Sequence, residues 1–232
     1  MKRFLFMAAI LIAALGFTGC GNSDKGGDLK IDAKVKNGAN FNALVDQVRA
    51  VGYIDIEGEE STSVIIATAD YKNGGFKIKL PKKIEDERLL YSVEGSMPDG
   101  ITVSNKNAKT CAVGFEAYKN GVYFDELVKT SFNMMLLQTA AVSYLFADSD
   151  VKISGNTEAD TGLFKINMKI DMNLKKGWNT VYSTFSLTTL SGLISTTNHK
   201  IDTEWQFSKD SSSSTIPAAP QKLPKMFKKF FK

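Results

Sequence analysis

Phe164, Ile166, Met168, Ile170, Met172 and Leu174 alternate without a break with Lys165, Asn167, Lys169, Asp171 and Asn173. Successive side chains on a strand point to opposite faces, so this run has one apolar and one wet face, the pattern of an antiparallel strand. A helix would scatter the same residues around its circumference. The same period recurs in Leu29, Ile31, Ala33 and Val35 against Lys30, Asp32, Lys34 and Lys36, in Phe76, Ile78 and Leu80, and in Cys111, Val113, Phe115 and Ala117. Val48–Ile56 is another strand candidate, and Ser63–Ala69 (SVIIATA) is β-branched enough for a central strand. Trp178, Thr180, Tyr182, Thr184 and Ser186 read as a strand running back after a turn at Lys175-Lys176-Gly177, and Lys200–Phe207 as the last strand. Tyr71-Lys72-Asn73-Gly74 and Tyr118-Lys119-Asn120-Gly121 carry one turn signal twice, because Asn-Gly supplies the positive φ that a tight hairpin needs.

These patterns predict a mainly β chain: an antiparallel, β-sandwich-like body, one large unit or two small ones, with units expected at 29–115 and 116–207. A departure is expected around 132–141. Phe132–Ala147 (FNMMLLQTAAVSYLFA) is the most apolar stretch beyond the first twenty residues, and Met134, Leu137, Ala141 and Leu145 sit at helical spacing. Val142, Tyr144 and Phe146 equally fit a strand leading into Val151–Ile153. A short buried helix followed by a strand is the favoured reading. Lys82–Tyr91 is charged and reads as a loop or short helix.

The segment VIIATADYKNGGFKIKLP resembles the repeated pattern of transthyretin-like and carboxypeptidase-regulatory-like β-sandwich domains, over roughly residues 29–82. That resemblance implies a structural or binding role. NLKKGWNTVY resembles a hairpin recurrent in lipoproteins of unknown function.

Residues 1–19 have the three-part layout of an export signal: Lys2 and Arg3, an apolar run from Phe4 to Leu15, then small residues. The run is shorter than the roughly 20 apolar residues of a spanning helix. Phe17-Thr18-Gly19-Cys20 resembles the lipobox of bacterial lipoproteins, with Phe17 where that family most often has Leu. The resemblance implies cleavage before Cys20, a diacylglycerol on its thiol, and acylation of the new amine. Gly21 in place of Asp implies outer-membrane sorting, on either the periplasmic or the surface face. Residues 20–28 then form a polar, glycine-bearing tether.

Composition narrows the function classes. Of 232 residues, 213 remain after the 19-residue leader, with 27 Lys+Arg against 25 Asp+Glu once Lys2 and Arg3 are gone. That near neutrality argues against a nucleic-acid partner. With Cys20 assigned to lipid, Cys111 is alone, so no disulfide framework follows and burial is its expected fate. His199 is the sole histidine, expected on a surface loop, and a His-based metal site is excluded by count. Asp46, Asp55, Glu57, Glu59 and Glu60, and the pair Asp148 and Asp150, are oxygen-rich but lack EF-hand spacing. There is no GxGxxG, P-loop, GxSxG or HExxH, and no cofactor is expected.

The expected role is a non-enzymatic, lipid-anchored envelope component that binds, adheres or assists assembly, held to the membrane by diacylglyceryl-Cys20, with an envelope protein or a glycan as partner. Two alternatives stand beside it: a carboxylate-based hydrolase on a β-sandwich, or a membrane-active protein working through its tail. Residues 208–224 read as a Ser/Pro linker to a basic amphipathic tail at 225–232. In that tail Met226, Phe227, Phe230 and Phe231, with Leu223 before them, share one helical face, and Lys225, Lys228, Lys229 and Lys232 take the other. A peptide of residues 221–232 is expected to be unstructured in water, being shorter than a stable isolated helix. With anionic vesicles it should gain helical circular dichroism and co-sediment; no change in either signal would rule out a membrane role for the tail.

Overall fold

The computed structural model of the chain describes residues 28–54, 62–135, 137–160, 165–187, 191–196 and 201–211. Fourteen strands occupy most of them: β1 (Leu29–Lys34), β2 (Gln47–Ile54), β3 (Thr62–Lys72), β4 (Gly75–Leu80), β5 (Tyr91–Ser92), β6 (Ile101–Val103) and β7 (Lys109–Lys119), then β8 (Val122–Asn133), β9 (Gln138–Ala147), β10 (Val151–Asp160), β11 (Lys165–Leu174), β12 (Gly177–Leu187), β13 (Ser191–Thr196) and β14 (Glu204–Phe207). The expected mainly β, sandwich-like body is what the chain forms, with antiparallel pairing dominant.

Both Asn-Gly turns close hairpins as their chemistry requires. Asn73 and Gly74 have φ of 55° and 75°, and Asn120 and Gly121 of 50° and 79°. Two successive positive φ values match the twist of the flanking strands. The first turn joins β3 to β4 and the second β7 to β8.

Strands β1, β4, β3, β2, β7, β8 and β14 follow one another around a ring. The ring closes where Val35, just past β1, bridges Trp205 in parallel and the Lys36 amide donates to the Trp205 carbonyl at 2.7 Å. The interior is filled by side chains, as in small closed barrels. Trp205 lies at its centre, 5.1 Å from Phe115, 5.2 Å from Phe76 and 6.2 Å from Tyr144, ring centroid to centroid. A second aromatic group, Phe41, Tyr71, Phe124 and Phe207, fills one end, with Phe41 and Phe207 4.2 Å apart.

The other core lies between β9 and β12 on one side and β10 and β11 on the other, and holds Leu145, Val151, Ile153, Ile170, Met172, Leu174 and Val181. Two strands are shared walls. On β9, Tyr144 and Phe146 enter the barrel while Leu145 and Ala147 enter the second core. On β7, Cys111, Val113, Phe115 and Ala117 face the barrel, and Ala112 packs on the second core. The boundary expected at 115/116 therefore falls inside β7, and Trp205 and Phe207, at the end of the chain's second half, belong to the first core.

Three further expectations are corrected. Among the described residues of 132–141 there is no helix: β8 runs to Asn133, the Leu137 amide closes a turn onto the Met134 carbonyl, and β9 begins at Gln138. β9 shows no clean two-residue period because both its faces are buried at Tyr144–Ala147. Lys175-Lys176-Gly177 does not close a hairpin. β11 pairs with β10 and β13, whereas β12 pairs with β9 and β13, so the chain crosses from one layer to the other. Leu174 and Trp178 consequently bury in different cores. This crossing is fastened to the one at residues 148–150: Asp150 accepts from the Lys176 amide at 2.8 Å and from Lys175 Nζ at 2.9 Å. Finally, Ser208–Ser211, placed in the linker by composition, form a helical turn against β8, where the buried Asp125 carboxylate accepts the Lys209 amide at 3.1 Å.

The SVIIATA strand differs in a smaller way. β3 pairs with β2 along Thr62–Asp70 but with β4 only at Tyr71 and Lys72, so among the described residues most of β3 is an edge.

Trp205→Ala empties the centre of the barrel and removes the ring that packs against Phe76, Phe115 and Tyr144. It should cost about 3–5 kcal/mol, the range for large aromatic truncations in cores. Urea unfolding at neutral pH measures it, and a loss below ~1 kcal/mol would contradict the central role given to this ring.

Candidate functional site: a tyrosine and glutamate platform on the barrel wall

β7 is apolar apart from its ends and one residue, Glu116, which is only 8 % exposed. A carboxylate so buried is tolerated only with hydrogen-bond donors around it. Tyr118 donates its hydroxyl to one Glu116 oxygen at 2.6 Å and Tyr53 donates to the other at 3.1 Å. Glu116 faces outwards because its register partner on β2 is Arg49, while the neighbouring pairs, Ala50 with Phe115 and Val48 with Ala117, face the barrel core.

The rest of the platform assembles from three strands. Tyr53 lies four residues beyond Arg49 on the same face of β2. The Arg49 guanidinium sits 3.8 Å over the Tyr118 ring and donates from Nε to Gln47 at 2.6 Å. Across β7, Glu126 of β8 stands directly opposite Glu116, and Tyr123 opposite Tyr118, whose rings meet edge to face at 5.9 Å. Tyr123 and Glu126 are an odd number of residues apart and would ordinarily point to opposite faces. A bulge resolves this: the register shifts between Ala117 and Tyr118, leaving Phe124 as an extra residue on β8. The shift re-aims Tyr123 outwards, a common use of bulges beside functional surfaces. Tyr91 extends the aromatic row, its hydroxyl donating to the Tyr53 carbonyl at 2.8 Å.

The phenols hold their protons tightly. Burial raises the Tyr53 hydroxyl far above its ordinary value, and the negative charges of Glu116 and Glu126 raise it further. Burial, then Glu126, Asp125 and Glu116, act likewise on Tyr123. Tyr118 is raised by burial and by Glu116, with Arg49 opposing. Such phenols donate hydrogen bonds and do not act as bases near neutral pH. The surface therefore offers part-exposed rings, a cation stacked on Tyr118 and the carboxylate of Glu126, with Glu116 fixing the phenols from below, which suits recognition of a partner rich in hydroxyls or amines.

The residues singled out in the sequence fare differently. Cys20, the tail residues 225–232, His199, and Asp55, Glu57, Glu59 and Glu60 lie outside the described residues. Asp46 is a turn fastener that accepts the Asn120 amide at 2.9 Å. Asp148 accepts the Lys109 amide at 2.9 Å, while Asp150 is taken up by Lys175 and Lys176, so this pair caps chain crossings. Among the described residues no group of three or more His, Cys, Asp or Glu is placed to hold a metal. Cys111 is buried, and burial pushes its thiol up to about 12.

None of the platform residues was singled out from the sequence as a binding residue; Tyr118 was named only for the turn that follows it. One signal was present: a lone glutamate in an otherwise apolar strand, two residues before a tyrosine, in FEAY. Comparison of the chain with family models, curated proteins and solved structures found no match.

Because the folded protein raises the phenol pKa values, the unfolded chain surrenders these protons first. Their contribution to stability is whole below pH ~10 and drains away as pH rises beyond it. The urea midpoint should accordingly fall above pH ~10, and Tyr53→Phe should fall less steeply over that interval. Equal slopes for both proteins would show that Tyr53 is not responsible.

Proposed function

We propose that this chain is a lipid-anchored lipoprotein of the outer membrane whose sheet-built body is a non-enzymatic binding, adhesion or envelope-assembly component. The observation that carries the binding role is the platform of Arg49, Tyr53, Glu116, Tyr118, Tyr123 and Glu126. Its phenols are protonated donors, and both Glu116 oxygens are already occupied by them. That arrangement holds a surface in shape and leaves little freedom for proton transfer. The aromatic row with polar groups between the rings favours a glycan or an envelope-protein segment as partner. The anchor rests on the lipobox-like Phe17-Thr18-Gly19-Cys20 and the leader before it.

A second reading, a carboxylate hydrolase, is favoured by one observation: Glu116 and Glu126 are register partners on adjacent antiparallel strands. Residues so paired have Cβ atoms about 5 Å apart, close to the ~5 Å carboxyl spacing of retaining glycosidases.

Cells fed a clickable fatty acid should label the wild-type protein and leave Cys20→Ala unlabelled; equal labelling would remove the anchor. On an array of envelope glycans and peptides, Tyr123→Ala and Glu126→Gln should each weaken retention about tenfold, a loss of ~1.4 kcal/mol. Turnover of a bound glycan that vanishes in Glu126→Gln would instead favour the hydrolase.

A further inference from the structure

Tyr-Lys-Asn-Gly closes a hairpin twice, but the two copies stand in different surroundings. At the β3–β4 turn Gly74 is buried. Its amide donates to Asn42 Oδ1 at 3.0 Å, and its carbonyl accepts the Val35 amide at 2.9 Å. A Cβ added to Gly74 would lie 2.9 Å from the Ala39 backbone nitrogen, so the peptide after Asn73 is packed against the helical turn Gly38–Phe41. At the β7–β8 turn Asn120 and Gly121 are both exposed, and a Cβ added to Gly121 would meet nothing within 4 Å. Asp46 Oδ2 accepts the Asn120 amide here at 2.9 Å, whereas the Gly121 amide has no acceptor among the described residues.

We propose that Asn120 is a site of spontaneous modification, converted to aspartate and isoaspartate through a succinimide, while Asn73 in the same tetrapeptide is protected by the fold. The Gly121 amide gives its proton to hydroxide, and its nitrogen attacks the Asn120 side-chain carbonyl carbon. The new N–C bond closes the ring. The bond from that carbon to the side-chain nitrogen breaks, and ammonia leaves with a proton taken from water, which restores the hydroxide. Water then opens the ring. Cleavage at the side-chain carbonyl leaves aspartate, and cleavage at the main-chain carbonyl leaves isoaspartate. Water is consumed, ammonia is released and nothing is oxidised. Glycine leaves the attacking nitrogen uncrowded, since it has no Cβ. The attack also needs the Asn-Gly peptide to rotate out of its turn. At the open tip that rotation is local fraying, which costs little. At Gly74 it breaks the bonds to Asn42 and Val35 and lifts the chain off Gly38–Phe41, a larger opening with a larger free energy. Either product puts a negative charge at the tip, two residues from Tyr118 and three from Tyr123. The iso form also adds a main-chain atom that the Lys119–Val122 register does not accommodate.

The test incubates the full folded chain in mildly alkaline buffer and samples it over days by tryptic digestion and mass spectrometry. Cleavage after Lys72 and Lys119 places the two asparagines in separate peptides, 73–77 and 120–129. In the folded chain Asn120 should convert about tenfold or more faster than Asn73, because only Asn73 waits for the larger opening. A parallel incubation in guanidinium chloride removes the fold and keeps the shared Tyr-Lys-Asn-Gly, so the two rates should draw together. Digestion with an isoaspartyl methyltransferase assay should find the iso form in peptide 120–129. Equal rates at the two sites in the folded chain would overturn the proposal. So would an Asn120 that stays intact in the folded chain while it converts in denaturant. A preference for Asn120 that persists undiminished in guanidinium chloride would assign it to neighbouring residues and overturn the protection of Asn73 by the fold.

Discussion

The constraint on which this fold depends is that the first half of β7 and the second half of β9, paired with each other, are each packed on both faces. One face of each closes the aromatic barrel and the other lines the second core. Apolar burial contributes roughly 25 cal/mol per Å², and a strand dry on both sides contributes it twice along the same backbone. Along these halves the peptide groups are satisfied by neighbouring strands, since packed side chains cover both faces. That requirement explains the branched pairing around β7: its first half pairs with β5 and β9, its second with β2 and β8. Because the wall is common, the two cores cannot be separated by cutting one connection.

Closure of the barrel is the most non-local event in the fold. Val35 and Trp205 come together from nearly opposite ends of the described chain, and β14 is held by β8 as well as by that bridge. Contacts of such separation are entropically costly to form and are characteristic of slow β-folders. The aromatic packing of Trp205 against Phe76, Phe115 and Tyr144 supplies the compensation, each ring pair adding about 0.5–1.5 kcal/mol beyond its buried area. Surface ion pairs add little by comparison: Lys77 and Asp32 meet at 2.6 Å with both side chains largely in water.

Two departures from regular geometry place the features that face outwards. The bulge at Phe124 turns Tyr123 to the side of Glu126 and completes the platform, while Phe124 itself packs with Phe41 and Phe207. The left-handed Leu137 closes the turn that carries Met134 and Met135. Both sit on β8 or at its end: the bulge lies where β8 pairs with β7, and the turn lies beyond the part of β8 that pairs with β9. One strand thus carries the platform on its first half and leads into the exposed turn at its end.

What the sequence determined by itself was local. Strict alternation marked β1, β4, β7 and β11, and two Asn-Gly pairs marked their hairpins, because side-chain direction and positive φ are properties of a few neighbouring residues. The poverty of histidine and cysteine was equally plain in the chain. Only the tertiary structure decided the rest. Phe132–Ala147 looked helical since a strand buried on both faces has no period to display. Lys175–Gly177 looked like a hairpin because a turn's composition does not say whether the next strand returns beside the last or crosses to another layer. Glu116 became part of a surface only once Arg49, Tyr53 and Tyr123 arrived from other strands. Register and layer are set by which apolar faces bury together, and that is a property of the whole chain.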